Sequence, residues 1–126
     1  MATILVVEDY LVAQRMYSHM LRKKGHTVLV ADNGCAALEQ LAETSIDLVV
    51  ADLSMPEMDG VSLLQHIRAD QRYQNIPVIM LTASGQENDR LRAEAEGAND
   101  FLTKPASSHE FIETINRHLR PQLFVG

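Results

Sequence analysis

Five polar side chains stand at the ends of short apolar runs. Glu8 and Asp9 follow Ile4-Leu5-Val6-Val7, Asp52 follows Leu48-Val49-Val50-Ala51, Thr82 follows Val78-Ile79-Met80-Leu81, and Lys104 closes the run from Phe101. If the first, third, fourth and fifth strands are the central ones, three carboxylates, a hydroxyl and an ammonium converge on one patch. Carboxylates held that close repel one another, and the end of a buried strand is a costly place for an unpaired charge, so the site needs a cation. Hard oxygen ligands without His or Cys point to a Mg2+-type ion that keeps several waters. An aspartate carboxylate can attack phosphorus as a nucleophile while a metal and a lysine neutralise the phosphoryl oxygens. Asp52 is the candidate nucleophile, at the end of the middle buried strand; Thr82 could donate to one phosphoryl oxygen and Lys104 could reach another. A blander reading stays open for single residues, with Asp9 only a helix cap and Lys104 only the neutraliser of Asp52.

The elements that must position these groups are legible as alternating strands and helices. Thr3–Val7, Thr27–Ala31, Asp47–Leu53, Ile76–Ala83 and Phe101–Lys104 read as strands. In three of them the central stretch (Ile4-Leu5-Val6-Val7, Leu48-Val49-Val50-Ala51 and Val78-Ile79-Met80-Leu81) is apolar at every position instead of alternating, as parallel strands covered by helices on both faces are. Asp9 can cap a first helix with Ala13, Met16, Tyr17, Met20 and Leu21 on its buried stripe and Gly25 beyond its end. Asp32-Asn33-Gly34 precedes a second helix and Asp59-Gly60 a third, while Ser84 to Glu87 and Ser107 to Glu110 fit capping boxes for a fourth (about 86–96) and a fifth (about 108–120). The pattern predicts an α/β fold, a (βα)5 doubly wound open parallel five-stranded sheet of flavodoxin-like type. In such a sheet the ligand site lies beyond the carboxyl ends of the strands.

Composition narrows the function classes. The 126 residues suit one domain, 1–126, with a tail at 121–126 that either folds back or contacts a partner. Acidic residues outnumber basic ones 17 to 11, and a net charge of -6 repels a phosphate backbone, which argues against direct nucleic-acid binding. No apolar run approaches the ~18 residues of a membrane span. The single cysteine, Cys35, excludes an intrachain disulfide and a thiolate metal site, and with no export signal visible the expected location is cytoplasmic. The five histidines lack metal-ligand spacing and read as surface residues.

Taken together, Glu8-Asp9, the segment from Asp52 to Gly60, Thr82-Ala83 and the segment from Gly97 to Pro105 resemble the signature blocks of the CheY-like response-regulator receiver domain. The resemblance covers about residues 3 to 119. It implies that Asp52 accepts a phosphoryl group from a phosphohistidine on a histidine kinase or histidine phosphotransfer protein, in two-component signalling. It implies Glu8 and Asp9 as the acidic pair, the Ser54 backbone carbonyl as a further Mg2+ ligand, Lys104 as the phosphate-binding lysine, and Thr82 with Phe101 as the switch pair. The chemistry would be self-catalysed phosphorylation and dephosphorylation, not that of an enzyme with turnover. The expected output surface, for a protein partner or a homodimer, is the helix 4, strand 5, helix 5 face, with Arg90, Arg92 and Glu113 on its rim. Ala106 replaces a frequent Phe, and Thr114 and Asn116 stand where DNA-binding regulators that dimerise through charged helices usually carry Arg, which removes support for that dimer. The chain is either a stand-alone regulator or a receiver from a longer response regulator or hybrid histidine kinase. Other readings fare worse: a flavodoxin-like carrier needs a phosphate loop where Glu8-Asp9-Tyr10 stands, a haloacid-dehalogenase-type phosphatase needs a second Asp where Ser54 stands, and a pseudo-receiver lacks part of the set present here.

Overall fold

In a computed structural model the described residues are 2–55, 58–82 and 87–119, without the side chains of Glu87 and Asp89. Strands and helices alternate throughout: β1 (Thr3–Val7), α1 (Leu11–Lys23), β2 (Thr27–Ala31), α2 (Gly34–Glu43), β3 (Leu48–Asp52), α3 (Gly60–Ala69), β4 (Val78–Thr82), α4 (Glu87–Ala95), β5 (Asp100–Thr103) and α5 (Ser108–Leu119). The strands form one parallel sheet in the order β2-β1-β3-β4-β5. β5 is therefore an edge strand and not a central one, although β1, β3, β4 and β5 remain contiguous. The order reverses between β1 and β3, which puts a crevice at their carboxyl ends.

Alternation along the strands divides the core into two layers. Leu5, Val7, Val49, Ala51, Val78 and Met80 pack with Ala37 and Leu41 of α2, Val61, Leu64 and Ile67 of α3, and Ala93 of α4. Ile4, Val6, Leu48, Val50, Ile79 and Leu81 face the other way, against Ala13, Tyr17 and Leu21 of α1 and Phe111 and Ile115 of α5. Ala106 is buried in this second layer, where the Tyr17 and Phe111 ring centroids are 4.8 Å apart. Both faces of the sheet are thus covered, which is why its strands read as unbroken apolar runs.

The helix starts agree with the sequence signals at three places. Asn33 Oδ1 accepts the Ala36 amide at 2.8 Å, Asp59 Oδ1 accepts that of Ser62 at 2.8 Å, and Ser107 Oγ accepts that of Glu110 at 3.1 Å. At α1 the expectation fails: Tyr10 holds the N-cap position without a side-chain hydrogen bond, so Asp9 is not the cap. Its buried stripe is also shifted, to Ala13, Gln14, Tyr17, Ser18 and Leu21, leaving Met16 39% exposed. The Ser84–Glu87 capping pattern, the start of the fourth helix at 86 and the tail 121–126 lie outside the described residues.

Candidate functional site

Four of the five strands each deliver one part of the site. Glu8 extends β1, its amide donating to the Ala31 carbonyl at 3.0 Å, and its side chain is fully buried. Asp52 ends β3 at 6% exposure, Thr82 ends β4 at 6%, and Lys104 follows β5 with its amide on the Thr82 carbonyl at 2.7 Å. Gly60 lets α3 close on this end of the sheet: a Cβ there would lie 2.5 Å from the Asp52 carbonyl oxygen and 2.8 Å from the Leu53 Cα. Its amide donates to the Leu53 carbonyl at 2.9 Å.

Glu8, Asp9 and Asp52 each offer a carboxylate oxygen within 4.8 Å of the others, with Asp9 on the exposed side. The Lys104 ammonium lies 2.8 Å from Glu8 Oε1 and donates to Asp52 Oδ2 at 2.9 Å. The Ser54 amide donates to Asp52 Oδ1 at 3.1 Å, and the Tyr10 amide to Glu8 Oε2 at 3.2 Å. Burial pushes the Glu8 carboxyl above its ordinary value despite the ammonium beside it. Burial works against the Lys104 ammonium too, but hydrogen bonds to Glu8 and Asp52 outweigh it and hold the lysine charged. One ammonium among three carboxylates leaves an excess of two negative charges, the surplus that a divalent cation offsets. The donor set is all oxygen, which suits a hard cation.

The structure brings Glu8, Asp9, Asp52 and Lys104 together as the sequence predicts, with Thr82 one strand over and the Ser54 backbone at the Asp52 carboxylate. Phe101 is not part of this group. It sits on β5, partly buried against the layer of α2, α3 and α4, with the Arg90 guanidinium 5.1 Å above its ring. Sequence reading missed two residues at the rim, Gln14 and Asp32. The Gln14 amide nitrogen donates to the Glu8 carbonyl and to Asp32 Oδ1, both at 2.9 Å. A polar residue amid the apolar pattern of α1 and a carboxylate directly after the second strand were the available signals.

Known proteins share this fold and much of this sequence. The family model for the response regulator receiver domain matches residues 4–116. The chain is 36% identical over 117 residues to the phosphate regulon transcriptional regulatory protein PhoB of Escherichia coli, covering 93% of the chain and 51% of PhoB, so it spans about half the length of that relative. It is 35% identical over 115 residues to the chemotaxis protein CheY of Pseudomonas aeruginosa, covering 90% of the chain and 93% of CheY. Among solved structures, the receiver domain of a Pseudomonas aeruginosa sensor histidine kinase, described with magnesium coordinated in its active-site cleft, superposes with a TM-score of 0.87 at 32% identity, over 94% of this chain and 97% of that one. Fold and sequence agree that the chain belongs to the response regulator receiver domain family of two-component signalling.

Proposed function

We propose that the chain accepts a phosphoryl group on Asp52 from a phosphohistidine of a histidine kinase or histidine phosphotransfer protein. An Asp52 carboxylate oxygen attacks phosphorus, the P–N bond breaks, and the histidine nitrogen keeps the electron pair. The observation that carries this reading is the imbalance at the strand ends: three carboxylates within 4.8 Å and a single lysine bridging two of them. Glu8, Asp9, Asp52 and the Ser54 carbonyl would hold Mg2+, which supplies charge neutralisation for the phosphoryl oxygens when bound. Lys104 stands ready to leave Asp52 Oδ2 for a phosphoryl oxygen, and the Ser54 amide keeps the carboxylate oriented. Tyr10, Leu11, Val12 and Met16 form an exposed apolar surface beside the acidic group, suited to a protein donor.

The phosphoryl group is then read by Thr82 and Phe101. A new dianion draws the Thr82 hydroxyl inward, and the Phe101 ring moves deeper into the space beside it, in a population shift between two packings. The altered face consists of α4, β5 and α5, with Arg90, Arg92 and Glu113 at its rim, where an output protein or a second copy docks. Thr114 is buried, so it does not contribute to the exposed part of that face. The test compares backbone amide NMR spectra of the free protein and its Mg2+–beryllofluoride complex, a phosphoryl mimic. Shifts reaching Phe101 and the α4 face are expected; shifts confined to the neighbours of Asp52 would overturn the switch, and none at all would overturn the site.

A further inference from the structure

Asp9 is the exposed member of the acidic group, and among the described residues its carboxylate has no hydrogen bond or ion pair to fix it. Its backbone is fixed instead, from both sides. The peptide unit before it carries the Glu8 carbonyl, which accepts from Gln14 Nε2 at 2.9 Å. The peptide unit after it carries the Tyr10 amide, which donates to Glu8 Oε2 at 3.2 Å.

Gln14 is well built for this task. It lies on α1 at 6% exposure, between the buried Ala13 and Tyr17, where an apolar side chain would otherwise stand. A primary amide has two N–H donors, and here the nitrogen serves two acceptors: the Glu8 carbonyl on β1 and Asp32 Oδ1 just beyond β2. The second acceptor is charged, and a charge-assisted bond is the stronger kind. Asp32 itself is exposed, so its carboxylate stays hydrated while it holds the buried amide.

We propose that Gln14 is a positioning residue for the divalent-cation ligand Asp9, and that Asp32 is its anchor. The proposal rests on the reading that Glu8, Asp9 and Asp52 hold a divalent cation. Gln14 touches neither the cation nor the phosphoryl group; it sets the direction in which Asp9 leaves the strand. Partners one step removed from a metal commonly change its affinity by about 10- to 100-fold.

The test titrates Mg2+ alone into the wild type and variants by amide NMR, and follows Tyr10 amide exchange without metal. Gln14→Met keeps the bulk and loses both donors; the expected result is an Mg2+ Kd raised by about 10-fold and faster Tyr10 exchange in the metal-free protein. Asp32→Ala, at an exposed position that leaves the core intact, should move both readouts the same way, and Asp32→Asn, which retains an acceptor, should recover most of the loss. Adding Asp32→Ala to Gln14→Met should cost little more, because the two act through one contact. An unchanged Kd in Asp32→Ala and in folded Gln14→Met would overturn the positioning role while leaving the cation site standing. Absence of Mg2+ binding by the wild type, or undiminished binding by Asp9→Ala, would overturn both.

Discussion

Lys104 is the residue on which the balance of charge turns. Its ammonium lies between a fully buried Glu8 and a nearly buried Asp52, and its own side chain is 26% exposed. Removing one partner of a buried pair costs more than the pair itself contributes, because the charge left behind has neither water nor a counter-ion. Lys104→Met should therefore destabilise the metal-free protein by about 2 kcal/mol, discounted from the fully buried case for its partial exposure. Mg2+ should restore more stability to this variant than to the wild type, since a ligand bound only by the folded state stabilises it. Thermal melts with and without Mg2+ check both statements; equal responses of the two proteins to Mg2+ would contradict them. This residue was legible in the sequence because a lysine after an apolar run is conspicuous. Gln14 left only a faint signal, a polar residue amid the apolar pattern of α1, since a glutamine on a helix ordinarily faces solvent and only the Glu8 carbonyl and Asp32 make it a buried donor.

Elements were legible where hydrophobic periodicity was unopposed. The first two strands have the expected bounds, whereas the third and fourth are shorter than their apolar runs. Asp47 uses its carboxylate to accept the Thr3 amide at 2.8 Å, and Ile76 closes a turn on the Tyr73 carbonyl at 3.0 Å, so both stand just outside the strands they precede. The shifted stripe of α1 has a similar cause, as Gln14 is drawn inward by its acceptors while Met16 turns outward. Between α3 and β5, Arg68 joins elements no periodicity would link. Its guanidinium donates to the carbonyls of Gly97 at 2.9 Å and Ile76 at 2.7 Å, and to Asn99 Oδ1 at 2.7 Å. Gly97 takes φ of 102°, a left-handed conformation that favours glycine, and the Asn99 side chain also accepts the Val78 amide at 2.8 Å. β5 is tied to α5 in turn, with Asp100 Oδ2 2.8 Å from Arg117 Nη1 and 3.0 Å from His118 Nε2. Burial works to raise the Asp100 carboxyl, but the His118 contact and the Phe101 amide outweigh it and leave it below the ordinary 3.8. A depressed carboxylate contributes stability above its unfolded value, and that contribution is lost as pH falls through the folded one. Asp100→Asn should thus be less stable than the wild type by about 1 kcal/mol at neutral pH, with the gap closing below about pH 4. Melting temperatures of both proteins across that range check it; a gap that persists in acid would contradict the linkage.

At the scale of the whole molecule, the doubly wound sheet makes the site possible. Both faces are sealed by apolar layers, so the carboxyl ends of the strands are where polar groups can gather and still reach solvent. The crevice lies where the strand order reverses between the paired neighbours β1 and β3, and Glu8 and Asp52 stand at the ends of these two strands. Among the described residues no helix is long and apolar enough to cross a membrane. Net charge adds to the design: at -6 the molecule already repels anions, so a phosphoryl group must be met by local cations, Lys104 and the metal the acidic residues would hold. That local neutralisation makes Asp52 the point on which the whole account depends. The most direct measurement incubates the protein with acetyl phosphate and Mg2+, reduces the acyl phosphate with borohydride, and locates the resulting homoserine by peptide mass. Trapping at position 52, dependent on Mg2+ and lost when the metal is chelated, is the predicted result; trapping at another carboxylate, or equal trapping in the chelator, would contradict it.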